Sequence, residues 1–389
     1  MTPRRGVEPA SASAGDRRDP AVGEPANLER VARDPAAEDK AVHDPAAHDR
    51  ADHQPPPHEA APQPAAHDRD ACQPAGAPPR HASRRPRPLA ATIAAWDRSL
   101  HIPVSTAPLA FVRIALGLVL TGWTLALAPD LRTFFGPAGM LPAQPGYRYR
   151  FGLLALWNSD AAVIALWVAL LVASLCLTVG LGTRLAALVA FLAVLSFQRR
   201  NPWVFNSGDL LVRQLTFFVA LAPAGAALSV DRWLRHRHRF WDHPRRAPWP
   251  LRLIQLNLAL GYLLSVWGKL RGDTWNDGTA IGYALRIGDL QRLPAPGWLT
   301  DLPVAVNVLT WGSLTVELAV ALLVWNRRLR PWVLAAGGLL HLAIDVFLEV
   351  GFFSYAVLAA YLAFVPPDVA DRRVARWVAA RRLRPAVVP

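Results

Sequence analysis

Eight runs of apolar residues, separated by shorter polar stretches, occupy the chain from about residue 107 to residue 366. They lie at approximately 107–128, 161–180, 183–198, 209–226, 251–269, 302–325, 331–348 and 350–366. Most approach the ~20 residues that a helix needs to cross the hydrocarbon of a bilayer. The pattern predicts an all-α, polytopic integral membrane bundle of about eight spans. The third run is short, and the fourth carries Arg213 and Pro223, so these two are expected to be tilted, broken or re-entrant. Pro331 opens the seventh, in the first helical turn, where its missing N–H costs nothing.

Composition changes the picture near residue 90. Residues 1–90 are rich in Pro, Ala, Asp, Arg and His, and carry 13 Lys+Arg against 14 Asp+Glu. They offer too little apolar area to offset the entropy of ordering, and are expected to form a disordered, low-complexity tail. His43, His48, His53 and His58 recur every five residues there. No helix aligns such a spacing and no cysteine joins it, so an expanded tether is favoured over a metal site. The division that follows is a tail at 1–90, a transmembrane domain at 95–370 and a basic C-terminal tail at 371–389.

The net charge of +13 raises the question of nucleic acid. The arginines, however, sit between apolar runs, which marks topology and argues against a nucleic-acid partner. With eight spans and the N-terminus inside, the inner side receives Arg80, Arg84, Arg85, Arg87 and the seven arginines between Asp231 and Arg252. It also receives Arg327, Arg328, Arg330 and the run from Arg372 to Arg384. The outer segment 270–301 holds three arginines against four aspartates. This asymmetry places both termini in the cytoplasm of a multi-pass cell-membrane protein. The C-terminal run, with Trp377 among its arginines, is expected to lie on anionic lipid as a short amphipathic helix. Cys72 and Cys176 provide no disulfide framework or zinc spacing, so no metal site is expected. No cleavable leader is expected either, since the first apolar run starts near Ala107.

Candidate chemistry begins with lysine. The chain has forty arginines and two lysines, Lys40 in the tail and Lys269 at the end of the fifth run. Arginine keeps its proton, whereas a desolvated lysine can release one, so Lys269 is a candidate base. The bland alternative is a lysine that snorkels to the interface. Other polar groups within the runs are Arg113, Arg213, Gln214, Gln255, Asn257, Glu317, His341 and Asp345. Each is costly in lipid unless it finds a partner inside the bundle. His341 and Asp345, four apart, share a helix face. Packing between helices is the competing account of Glu317 and Asp345. The segment from Arg199 to Asp209 is dense in aromatic and amide groups, as is Trp275-Asn276-Asp277-Gly278. Trp203, Asn206, Asp209 and Trp275 read there as anchors and caps, or as the rim of one outward-facing cavity shared with Lys269 and His341.

These residues carry a family resemblance over about residues 95–370. Asn206-Ser207-Gly208-Asp209, followed by Leu228-Ser229-Val230-Asp231, resembles the bacterial HTTM domain, a relative of vitamin K-dependent gamma-glutamyl carboxylase. Lys269-Leu270 with Trp275 and Gly278 is similar to the carboxylase's lysine, leucine, Trp and Gly. Glu317 matches a family acidic position, and His341 followed by Gly351-Phe352-Phe353-Ser354-Tyr355 resembles the family's histidine and Gly-Met-Phe-Ser-Tyr. The resemblance implies that Lys269 is the base acting on reduced vitamin K, a lyase-like chemistry in which the oxygenated quinol drives carboxylation of glutamate. Gly208 stands where the carboxylase has histidine. No counterpart of its large peptide-gripping C-terminal domain is expected after Tyr355.

The resulting expectation is a membrane protein with a quinol- or lipid-binding cavity, a reduced quinone of the vitamin K type as cofactor, and Lys269 and His341 as catalytic residues. Trp203, Asn206, Asp209, Arg213, Trp275, Glu317 and Tyr355 are expected to bind substrate. The alternative is a non-catalytic membrane scaffold whose tail recruits a protein partner. A transporter ranks lower, because no inverted repeat of broken helices is visible.

Overall fold

The computed structural model describes residues 88–141 and 152–382. The predicted tail up to residue 87, with Lys40 and its histidine repeat, lies outside the described residues. Ten helices of nine residues or more organise the rest. They are α1 (Pro88–His101), α2 (Ala107–Ala126), α3 (Asp160–Val179), α4 (Thr183–Arg200), α5 (Ser207–Leu221) and α6 (Trp249–Lys269). α7 (Pro303–Leu323), α8 (Arg330–Phe347), α9 (Phe353–Tyr361) and α10 (Pro367–Arg382) follow. Among the described residues the fold is all-α apart from a two-residue antiparallel pair, β1 (Val104–Ser105) with β2 (Arg245–Arg246), and an isolated bridge between Gln291 and Leu348.

The eight apolar runs correspond to α2 through α9. Five of these helices, α2, α3, α6, α7 and α8, are long and apolar enough to cross a membrane, and six spans result if α9 and α10 count as one bent span. The count of eight is therefore not reached on length and composition, and the reasons are local. α4 carries Arg184, Arg199 and Arg200. α5 has 15 residues and stops at Leu221, two residues before Pro223, whose ring disfavours helical geometry in the residue ahead of it. α9 runs on as a single turn, Leu362–Phe364, and then the chain bends by 98° into α10. Pro366 and Pro367 cannot donate the backbone hydrogen bonds that a continuous helix needs there. α10 thus begins ahead of the expected boundary at residue 371.

Consecutive helices run in alternate directions, because contacts join the same two ends repeatedly. At one end Ser105 Oγ donates to Asp371 Oδ1 at 2.6 Å, Arg113 to Leu228 O at 2.6 Å and Arg252 to Ser99 O at 3.4 Å. At the other, Trp123 Nε1 donates to Asp209 Oδ1 at 2.6 Å and Asn206 Nδ2 to Val350 O at 3.2 Å. The first end collects α1, α10 and the arginine-rich connections. α2 to α5 pack in sequence, α6 to α8 pack in sequence, and α9 lies against α2, α5, α6 and α8. Leu116, Leu120, Phe197, Leu215 and Ile254 are wholly buried within the bundle, while Val172, Leu264 and Leu339 are exposed on outer helix faces. Apolar side chains on the outside of apolar helices are what a lipid-embedded bundle requires.

Candidate functional site

Lys269 closes α6. Tyr262, Ser265 and Lys269 fall at spacings of three and four residues, which puts them on one face of that helix. Glu317, mid-way along α7, faces the same stripe. Its Oε1 accepts from Lys269 Nζ, and its Oε2 accepts from Ser265 Oγ at 3.1 Å. The lysine side chain is 24% exposed and the glutamate 8%. Lys269 Nζ also lies 4.7 Å from the centre of the Trp275 ring, which comes from the connection just after α6. The ammonium is thus held by a carboxylate and an aromatic face, and still reaches the surface of the bundle.

Deeper in, Tyr262 Oη lies 2.7 Å from His341 Nε2 and 2.6 Å from Tyr361 Oη. His341 is 2% exposed, and its Nδ1 has no hydrogen-bond partner among the described residues. Gly337 makes this approach possible. A Cβ at that position would stand 2.2 Å from the Tyr361 hydroxyl. Tyr262 and Lys269 lie two turns apart on one face of α6, so this group adjoins the Lys269–Glu317 pair. Four helices, α6 to α9, therefore converge on one buried polar group with Lys269 at its edge.

A second group lies one turn along α8. Asp345 Oδ2 accepts from Tyr355 Oη at 2.7 Å and from Arg292 at 3.2 Å, and its Oδ1 is buried without a partner among the described residues. A third forms the start of α5. Asn206 and Asp209 make a capping box, each side chain accepting from the other's backbone N–H. Asp209 also accepts from Trp123, while Gln198 donates to its backbone carbonyl at 2.8 Å and takes a bond from Arg213 at 2.7 Å.

Of the expected site residues, Lys269, Glu317, Trp275 and His341 converge. Tyr355 belongs with Asp345. Asn206, Asp209 and Arg213 serve the start of α5, and Trp203 is 82% exposed and joins none of these groups. The expected outward cavity is not among the three cavities described, which lie at the arginine-rich end and are not lined by Lys269, Glu317 or His341.

The HTTM domain family matches residues 101–369, more than two thirds of the chain. The chain belongs to the HTTM domain family. No curated protein and no solved structure matches it. The HTTM match spans all four helices of the Lys269 group and the two flanking groups. Within this HTTM domain, Gly208 is tied to its surroundings, since a Cβ there would meet Phe353 at 2.6 Å. Phe353 in turn sets its ring edge against His341, centroid to centroid 5.1 Å. A bulkier residue at 208 would have to displace that aromatic. The Leu228–Asp231 motif lies at the opposite end and braces it. Leu228 holds a left-handed φ of 48°, which a leucine rarely adopts, and its carbonyl accepts from the buried Arg113.

Sequence reasoning missed Tyr262, Ser265, Tyr361 and Arg292. A tyrosine in an apolar helix is unexceptional, and the available signal was spacing: Tyr262 stands seven residues, two turns, before Lys269. Arg292 lies in a polar connection, and nothing local distinguishes it.

Proposed function

We propose that this HTTM protein is a multi-pass membrane protein, both termini cytoplasmic, that binds an apolar hydroxyl compound beside Lys269 and removes a proton from it. A reduced quinone of the vitamin K type fits the donor set: an amine for the hydroxyl, Ser265 as a further hydroxyl, and Trp275 as a face for a planar ring. Such a quinol supplies an acidic hydroxyl and an oxidisable ring. The observation that carries the reading is the Lys269–Glu317 pair at the edge of a buried polar group. For Lys269 to act as a base its proton must first pass to a neighbour, and Glu317 is in place to take it: the ion pair would become a neutral amine beside a neutral acid, with the net charge of the pair unchanged. Tyr262, His341 and Tyr361 form the buried side of this group, while Lys269 stays at its exposed edge.

The second reading is a scaffold, in which the pair only ties α6 to α7. The direct pairing of the two side chains across α6 and α7 favours it. The comparison of Lys269→Arg with Lys269→Ala separates the two. In detergent, the wild-type chain should retain quinone detectable by mass spectrometry, and should consume a chemically reduced naphthoquinone. Lys269→Arg should melt like the wild type yet be as inactive as Lys269→Ala, because arginine keeps the charge and cannot give up the proton. An active arginine variant excludes the base, and a wild-type chain that neither holds nor consumes quinol leaves the scaffold.

A further inference from the structure

A cavity of about 550 Å3 opens at the arginine-rich end, where α6, α8 and α10 begin. It lies roughly 25 Å from Lys269, given the rise of 1.5 Å per residue along α6. Arg252, Arg327 and Arg330 line it, over walls that include Leu251, Trp325 and Phe364. Arg252 donates to Gln255 Oε1 at 2.7 Å and to Ser99 O at 3.4 Å. Arg330 donates to Val324 O at 2.8 Å. These acceptors are neutral. They aim the guanidinium groups and leave the charges uncompensated. Among the described residues no carboxylate is within ion-pair distance of any of the three arginines. Asp368 lines the same cavity but is paired with Arg372 at 2.7 Å. Arg252 feels the charge of Arg327, and Arg330 feels both. α6 and α8 also start here with no side-chain cap and no acidic residue in the first turn, so the positive ends of their dipoles add to the field.

Two guanidinium groups, Arg252 and Arg330, oriented and half withdrawn from water with no carboxylate among the described residues paired to them and the exposed Arg327 beside them, call for an anion from outside the chain. We propose that this cavity binds the phosphate of an anionic membrane lipid. Guanidinium groups match phosphate oxygens in pairs, and the apolar walls with Trp96 and Trp325 suit the acyl side of a headgroup at the interface. The site is independent of the Lys269 chemistry.

The test is native mass spectrometry of the full chain released from nanodiscs of mixed phosphatidylglycerol and phosphatidylcholine. The wild type should retain phosphatidylglycerol. Arg330→Gln and Arg252→Gln should each weaken retention about fivefold, the effect of one basic residue near a lipid surface. Arg184→Gln removes a charge from the same end but lines a different cavity, and should change nothing. Arg327→Gln, exposed and without a hydrogen bond among the described residues, serves if the other variants melt early. Equal retention in all variants, or equal loss in all including Arg184→Gln, would overturn the site. Displacement of the lipid by inorganic phosphate at matched concentration would overturn the lipid assignment, since the apolar walls would then contribute nothing.

Discussion

At position 337 one methyl group separates two outcomes. Gly337→Ala would push the Tyr361 hydroxyl away from Tyr262 and crowd Val320. Overpacking of this kind costs about 1–3 kcal/mol. Gly338, the next residue, is the control, because its added Cβ would meet Leu358 at an ordinary 3.7 Å. Gly338→Ala should be neutral or slightly stabilising, as alanine suits a helix better. The check is the detergent melting temperature, which should fall for Gly337→Ala alone; a shared fall would show a general intolerance of α8. At this scale the sequence was informative where a residue type was out of place. Lys269, Glu317 and His341 stand out because ionisable groups in apolar helices need partners. Tyr262 and Tyr361 do not, because their role appears only when the two hydroxyls meet.

At the scale of elements, α4 starts at a glycine that cannot cap it. Asp231, from the segment after α5, supplies the cap: its carboxylate accepts from Gly182 N at 2.8 Å, Thr183 N at 3.0 Å and Thr183 Oγ1 at 2.9 Å. Burial works against ionisation of Asp231. The bonds from Thr183 and Gly182, with the Arg235 charge, outweigh it and hold the carboxyl below its ordinary range. A depressed carboxylate stabilises the fold above its unfolded value, about 3.9, and that contribution is lost as pH falls through the lower folded value. Asp231→Asn should therefore melt earlier than the wild type at pH 7, by the equivalent of about 1 kcal/mol. The gap should narrow as pH falls through the lowered folded-state value. Melting curves at several pH values test this, and a gap independent of pH would remove the ionic cap. The Leu228–Asp231 motif was visible in the sequence, but not its duty, since the helix it caps lies about fifty residues earlier.

At the scale of the molecule, the alternation of helices sends residue 240 to the arginine-rich end and residue 290 to the end where Arg292 meets Phe347 O at 3.0 Å. Reporter fusions at 240 and 290 should report opposite sides, the first cytoplasmic; one common side would break the topology. The apolar runs and the arginines between them determined the helical class, the order of the eight helices α2 to α9 and the asymmetry of charge between the two ends, because hydrophobic length and arginine placement act locally along the chain. They did not by themselves separate the helices long enough to span from the shorter ones, since α5 and α9 end at local breaks, ahead of Pro223 and at Pro366-Pro367, that lie inside or at the edge of apolar runs. Nor did they determine the grouping of polar residues. Tertiary structure drew Lys269 and Glu317 together, sent Asn206, Asp209 and Arg213 to the start of α5, and left Trp203 outside. Partner choice in a low-dielectric bundle follows from which helix faces meet, and residues 48 or 79 positions apart carry no local mark of that meeting.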